Sequence, residues 1–212
     1  MMRILFFTIC LFVSTLLDAQ NNILTDIEKA NAAYETITCM FIRTQTNVGK
    51  GTSVKVEGDL FIAGEDKMAQ YYKAPSTDLL IINGNDFYMV RGKKKNKFNT
   101  EKNKTMRGLR NTLLYSIHGK PAMLAAENSA EIIAEKKKDG YEVVLTSTKK
   151  TPKSYAKIVL VYDLESKLLT KMQMDEYNGN STLYEMSNVK INTSFDAKVF
   201  NGPIKESLLK DE

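Results

Sequence analysis

His118 is the one histidine in this 212-residue chain, and Ser116 stands two residues before it. A hydroxyl and an imidazole are the parts of a nucleophile and its base. Here no acid partner accompanies them, and no Gly-x-Ser-x-Gly turn exposes the serine. An imidazole at a helix end is read instead as a cap that complements the terminal carbonyls. The two cysteines are Cys10 and Cys39. Cys10 sits inside an apolar leader, so Cys39 is expected to be alone in the mature chain, a buried inert thiol with no internal disulfide. One histidine beside one remaining cysteine does not make a zinc set. There is no phosphate loop and no dinucleotide fingerprint. Enzymatic chemistry, a metal and any other cofactor are not expected.

The densest charge is the stretch 91–110, with nine basic residues (Arg91, Lys93, Lys94, Lys95, Lys97, Lys102, Lys104, Arg107 and Arg110) against the single acid Glu101. Only Phe98 interleaves it, which argues against base stacking and nucleic acid. For an exported protein the matching partners are anionic head groups or acidic proteins. Each basic residue near an anionic membrane is worth about 1 kcal/mol. Lys93, Lys94, Lys95, Lys97, Lys102 and Lys104 are the candidate surface for such a partner. A plain solvated, mobile hairpin loop is the alternative.

These residues need a framework. With 43% hydrophobic and 26% charged residues and a net charge of +5, the chain is that of a folded domain with a sizeable core. Arg3 precedes an apolar run from Ile4 to Leu17, and Ala19 stands before Gln20. The run is short for a membrane span, so residues 1–19 are expected to be a signal peptide cleaved after Ala19. Residues 20–212 then form a single exported domain.

Thr25 and Glu28 have capping-box spacing, and Ile27, Ala30, Tyr34 and Ile37 follow on one stripe. They predict a first helix over 26–38, with a strand at Met40-Phe41-Ile42. From Val54 the apolar period becomes two, through Val56, Leu60 and Ile62. Asn83-Gly84 marks a tight hairpin between 79–82 and 87–90. Residues 91–110 interrupt the meander, a helix follows over 107–118, and Pro121 opens a third through Ala126. Strands then recur over 131–137, 141–148, 154–162, 168–177 and 181–192, with turns at Asp139-Gly140 and Asn178-Gly179-Asn180. The fold class is α+β, with roughly ten antiparallel strands and three helices.

A strongly curved sheet with helices on its concave side encloses either a filled core or a pocket. Methionines at Met68, Met89, Met123, Met172 and Met174 suit surfaces that accept variable apolar shapes, and they also suit ordinary gap filling.

Several segments together resemble the outer-membrane lipoprotein carrier (LolA) family. They are Glu57-Gly58-Asp59-Leu60-Phe61-Ile62, Tyr72-Lys73-Ala74-Pro75 and Leu80-Ile81-Ile82-Asn83-Gly84, with Phe41 upstream. The later half agrees through Tyr141–Leu145, Ile158–Asp163, the Asn178-Gly179 turn, and Asn188–Asn192 before Phe195 and Phe200. The resemblance covers nearly all of the mature chain. It implies an incomplete antiparallel barrel with helices as a lid over an apolar cavity that carries lipoprotein acyl chains across the periplasm. The family's cavity arginine falls here on Gly64-Glu65, and a tryptophan of the next strand falls on Gln70, so lid control must differ or use another residue.

The resemblance further implies acylated lipoproteins as cargo, an inner-membrane transporter that releases them and an outer-membrane acceptor. A monomer is expected. An acyl chain of about 16 carbons, at about 0.8 kcal/mol per CH₂, gains over ~10 kcal/mol on burial. Handing it on therefore calls for a lid that opens and a lining without fixed polar anchors. The expected lining is Leu60, Ile62, Met68, Tyr72, Leu80, Ile82, Phe87, Met89, Leu113, Leu114, Met123, Leu124, Met172 and Met174. A lipid-binding sensor or regulatory module, and a carrier of another amphiphile such as a glycolipid, are the alternatives on the same scaffold.

Overall fold

The computed structural model describes residues 20, 22–150 and 155–202. The expected leader 1–19, with Cys10, and the strand residue Ser154 lie outside the described residues. The first helix, α1, spans 22–32 and ends earlier than the stripe to Ile37 predicts. Thr36, Ile37 and Thr38 are all β-branched, stiff at χ1 and better suited to a pleated strand. They open β1 (Thr36–Asn47) instead. Ile27 of α1 is fully buried, whereas Ile37 packs into the same core from the strand.

Six strands follow one another as hairpins: β1, β2 (Thr52–Ala63), β3 (Lys67–Tyr72), β4 (Leu79–Asn83), β5 (Asp86–Arg91) and β6 (Lys94–Asn99). The expected Asn83-Gly84 turn joins β4 to β5, with Gly84 at φ +59°, in the left-handed region that glycine adopts without strain. Two helices come next, α2 (Lys104–Ile117) and α3 (Pro121–Asn128). Asn103 caps α2, its side-chain oxygen accepting from the Met106 N–H at 3.0 Å. Pro121 occupies the start of α3, where its missing N–H costs nothing. The second half returns as β7 (Ala130–Lys137), β8 (Gly140–Ser147), β9 (Tyr155–Tyr162), β10 (Leu169–Glu176) and β11 (Ser181–Ile191).

The eleven strands among the described residues form one antiparallel sheet in the order β6-β5-β4-β3-β2-β1-β11-β10-β9-β8-β7. The two meanders therefore join along β1 and β11, and β6 and β7 are left as edges of an unclosed barrel. The stretch 91–110 is not a loop. Residues 94–99 pair with β5 in register from Asp86↔Asn99 to Arg91↔Lys94, and this is the strand beyond the expected ten. Its Lys/Asn composition has little intrinsic strand preference, but lysines along an exposed edge discourage pairing with another chain.

Period-two alternation gives the sheet two unlike faces. The concave face carries the main core together with the buried faces of all three helices. The convex face of β2–β5 has a small core of its own, where Phe61, Ile81 and Tyr88 meet Phe195 and Phe200 from the chain after β11. The Tyr71 hydroxyl fastens that strap by donating to the Val199 carbonyl at 2.7 Å.

Candidate functional site

Cross-strand rows on the concave face set the expected lining side by side. One row runs Ile37, Ile62, Met68, Ile82, Phe87 and Phe98 across β1 to β6. The next runs Cys39, Leu60, Gln70, Leu80, Met89 and Asn96. In the other half, Tyr184, Met172, Leu160, Val143 and Ala134 form a row, and Thr182, Met174, Ile158, Leu145 and Ile132 the row beside it. Leu113, Leu114 and Ile117 of α2 and Leu124 of α3 face these rows from above.

Leu60, Ile62, Met68, Leu80, Ile82, Phe87, Leu113, Leu114, Leu124, Met172 and Met174 are all buried in this one cluster, with Tyr72 and Met89 partly buried against it. Met123 does not join them. It is 47% exposed, because Leu124 and Ala125 hold the inward side of α3.

The concave face is filled in this arrangement. One small space under the helices, bounded by Ile37, Cys39, Leu60, Ile62, Ile117, Leu168, Leu169, Met186 and Val189, is about 10 Å³. That is the room of roughly one water. A wider crevice of about 530 Å³ opens at Thr38–Met40, Asp59–Phe61 and Asn188–Lys190. It lies where β11 bulges away from β1: the register passes from Thr38↔Lys190 to Met40↔Ser187, with Asn188 at φ +53°. Cys39, Leu60 and Val189 border both spaces.

Polar ties hold the helices on the sheet. The Tyr162 hydroxyl donates to the Ser116 carbonyl at 2.8 Å, and Arg110 Nε donates to the Gly84 carbonyl at 2.9 Å. Lys120 Nζ, in the link between α2 and α3, lies 2.8 Å from Glu65 Oε1 in the β2–β3 turn. The family resemblance puts its arginine at Gly64, the residue before Glu65, so a pair of opposite charges bridges turn and helices next to that point. The pairing holds the Glu65 carboxyl below its usual range, through the hydrogen bond and then the charge of Lys120.

His118 is buried beside them with Nε2 unpartnered, and burial, then the Lys120 charge, lowers its pKa below the ordinary 6.5. It ends α2 as expected, and its backbone N–H bonds to the Leu114 carbonyl. Cys39 is 7% exposed, and burial first, then the charge of Asp59, pushes its thiol up to about 12. A thiol so placed is a core side chain and a poor nucleophile.

Of the basic surface candidates, Lys94, Lys95 and Lys97 lie on the edge strand β6. Lys97 pairs with Asp86 at 2.9 Å and sits 5.1 Å from the Tyr88 ring centroid. Lys93 is in the β5–β6 turn, Lys102 in the turn before α2, and Lys104 at its first residue. All six are exposed.

Arg43, which joins the expected Tyr72 in a polar and aromatic group on the concave face, escaped the sequence reading. Arg43 donates to the Tyr72 hydroxyl at 2.9 Å, and that hydroxyl donates in turn to Gln70 Oε1 at 3.2 Å. Burial raises the pKa of Tyr72 well above a free phenol, with Tyr184 adding to the rise and Arg43 and Arg91 opposing it. Burial, then Tyr184 and Glu176, pushes Tyr155 up to about 12. Extending the alternation of β1 from Cys39 and Phe41 by one step would have found Arg43. Reading the strand as Met40-Phe41-Ile42 alone stopped short of it.

No curated protein matches this sequence. Solved structures share its fold at low identity. An uncharacterised conserved protein from Thermus thermophilus has a TM-score of 0.53 at 8% identity, over 88% of this chain and 96% of that one. A DUF1329 family protein from Desulfovibrio piger has a TM-score of 0.51 at 10% identity, over 87% and 97%. The MucA/MucB complex of Pseudomonas aeruginosa gives 0.50 at 8% identity, over 85% of this chain and 60% of that chain. The model of the outer membrane lipoprotein carrier protein LolA matches residues 32–202. That span runs from the end of α1 through every strand and both later helices, and the chain belongs to the LolA family.

Proposed function

We propose that this protein is a periplasmic carrier that takes up lipoprotein acyl chains on the concave face of its sheet and passes them from the inner to the outer membrane. Residues 1–19 serve as its cleaved export leader, and 20–212 act as one carrier domain. The observation that carries this reading is the continuous apolar concave face, which spans both meanders and is covered by helices rather than by a second sheet. Family membership over residues 32–202 supports it.

The concave side chains pack directly against α2 and α3, so hydrocarbon enters as these helices lift and the chain takes over their contacts. Leu113, Leu114, Ile117 and Leu124 then exchange one apolar partner for another, so uptake and release stay close in free energy. Leu60, Ile62, Met68, Tyr72, Leu80, Ile82, Phe87, Met89, Met172 and Met174 form the floor. The crevice at the β1–β11 bulge borders the same interior through Cys39, Leu60 and Val189.

The test is extraction and mass analysis of lipid from protein purified without detergent from its native cells, alongside release of lipoprotein from inner-membrane vesicles. Acylated cargo in both supports the carrier. Absence of cargo together with failure of release overturns it. A single protein captured by crosslinking from Lys94 or Lys104, with no lipid bound, would favour a regulatory binding module.

A further inference from the structure

Arg43 is a cation on the apolar side of the sheet. Alternation along β1 sets it on the same face as Cys39 and Phe41. The register places it in one row with Val56, Tyr184, Met172 and Leu160. Its guanidinium carbon lies 4.8 Å from the Tyr72 ring centroid, and Nη1 donates to the Tyr72 hydroxyl at 2.9 Å. Nε is buried without a partner. Among the described residues no carboxylate pairs with the guanidinium. Glu176, at the end of β10, accepts from Asn178 Nδ2 instead.

A guanidinium has five N–H donors, and one that faces apolar side chains without an anion is costly to hold. The stacking and hydrogen bond to Tyr72 fix its plane and leave the remaining donors unused. Arg91 follows Phe87 and Met89 on the same face of β5, with Lys94 opposite it on β6. Its charge reaches the same Tyr72 hydroxyl. One end of the face is thus cationic, and the rows beyond it are hydrocarbon apart from Gln70, Asn96 and Thr182.

We infer that Arg43 is a head-group site: it binds the phosphate or carboxylate of an acyl amphiphile whose chain lies along the rows of Phe41, Leu60 and Met172. The inference rests on the reading of this face as a shelter for acyl chains. Tyr72 positions the guanidinium, and Arg91 adds long-range attraction. The side chain of Arg43 remains partly exposed, which gives the anion an approach from solvent.

The experiment displaces a fluorescent fatty acid from the leaderless chain with two competitors, 1-palmitoyl lysophosphatidate and 1-monopalmitoylglycerol, which differ only by the phosphate. The wild-type protein should prefer the phosphate form by about tenfold or more, the scale of one charge-assisted hydrogen bond. Arg43→Met should remove that preference by weakening the phosphate form alone, and Arg43→Lys should restore part of it. Thermal unfolding of each variant checks the fold. Should Arg43→Met fail to fold, the wild-type preference must shrink as salt rises.

Equal binding of both competitors by the wild type, a preference that survives in folded Arg43→Met, or a salt-independent preference overturns the site and leaves the shelter standing. No displacement by either overturns both. Inorganic phosphate that blocks lysophosphatidate but not monopalmitoylglycerol supports the site with a free anion as its occupant. Phosphate without effect supports it with the head group as occupant.

Discussion

The ring of Phe41 occupies the space above Gly58 on the neighbouring strand: a Cβ at Gly58 would lie 2.5 Å from Phe41 Cζ and 2.5 Å from the Tyr71 carbonyl oxygen. The two residues are direct partners in the β1–β2 register, and Tyr72 is the next partner across. With no side chain between them, Phe41 and Tyr72 meet edge to face, their centroids 5.2 Å apart at 86°. Phe41 also lies 5.9 Å from the Tyr184 ring. The aromatic group that supports Arg43 is therefore assembled across a glycine.

Gly58→Ala should destabilise the protein by about 1–3 kcal/mol, the usual cost of overpacking a filled core. For a domain of this size that lowers the melting temperature by roughly 3–10 °C. Adding Phe41→Leu should recover only part of the loss, because the Tyr71 carbonyl still blocks the new methyl. Thermal unfolding of the three proteins measures both effects, and full recovery would show that the ring alone requires the glycine.

The strands of both meanders and the inward positions on them were legible because apolar alternation and the turns at Asn83-Gly84, Asp139-Gly140 and Asn178-Gly179 agree with one another. Choosing Leu60 fixes Leu80 and Met89 through Gln70 once the hairpins are known, and choosing Ile62 fixes Met68, Ile82 and Phe87. Three features were not legible, each for a physical reason. Strand β6 is built from Lys94, Lys95, Asn96 and Lys97, whose types do not favour strands, and is held there by β5. The stripe Ile27, Ala30, Tyr34 and Ile37 runs past the true end of α1, since strand pairing of Ile37 with Ile62 and Ile191 overrides helical spacing. How far the concave face is filled depends on side-chain volumes beneath the helices, which a pattern of apolar positions does not encode.

The Glu65–Lys120 pair joins the β2–β3 turn to the link between α2 and α3, so it should act on the lid more than on the fold. Glu65 is 80% exposed in its side chain, and such pairs contribute at most about 1 kcal/mol to global stability. Glu65→Lys should accordingly change the melting temperature by no more than a few degrees. Local opening is a smaller event, and there the same loss is a larger fraction of the free energy. Amide hydrogen exchange in 113–126 should quicken in Glu65→Lys, and Lys120→Glu in the same chain should reverse it. Unchanged exchange would remove the pair as a latch.

Cys39 reports the opening of the face directly, because it borders both the closed interior and the outer crevice. With its thiol pushed up to about 12, only about one molecule in 10⁴ is thiolate at pH 8. Alkylation by iodoacetamide at pH 8 should therefore be about a thousandfold slower in native protein of residues 20–212 than in denaturant. Glu65→Lys should raise the native rate if the latch restrains the helices. Bound acyl amphiphile should lower it by covering Cys39. A native rate near the denatured one would mean that the face stands open.

His118 should make stability fall on mild acidification. Burial depresses its folded pKa below the ordinary 6.5, and the positive Lys120 depresses it further, while Glu65 partly opposes both. The unfolded chain therefore binds the proton first. The stability tied to neutral His118 is full above about pH 6.5 and is lost as pH falls through the folded value. The carboxyls of Glu65, Asp163 and Asp196 are held below their usual range, so their own losses come at lower pH. Melting temperatures between pH 7.5 and 5 should decline in the wild type and decline less in His118→Gln, measured in one buffer series at constant ionic strength. Because the imidazole ends α2 next to Lys120, exchange in 113–126 should rise over the same interval in the wild type. Parallel pH profiles for the two proteins would assign the acid sensitivity to other groups.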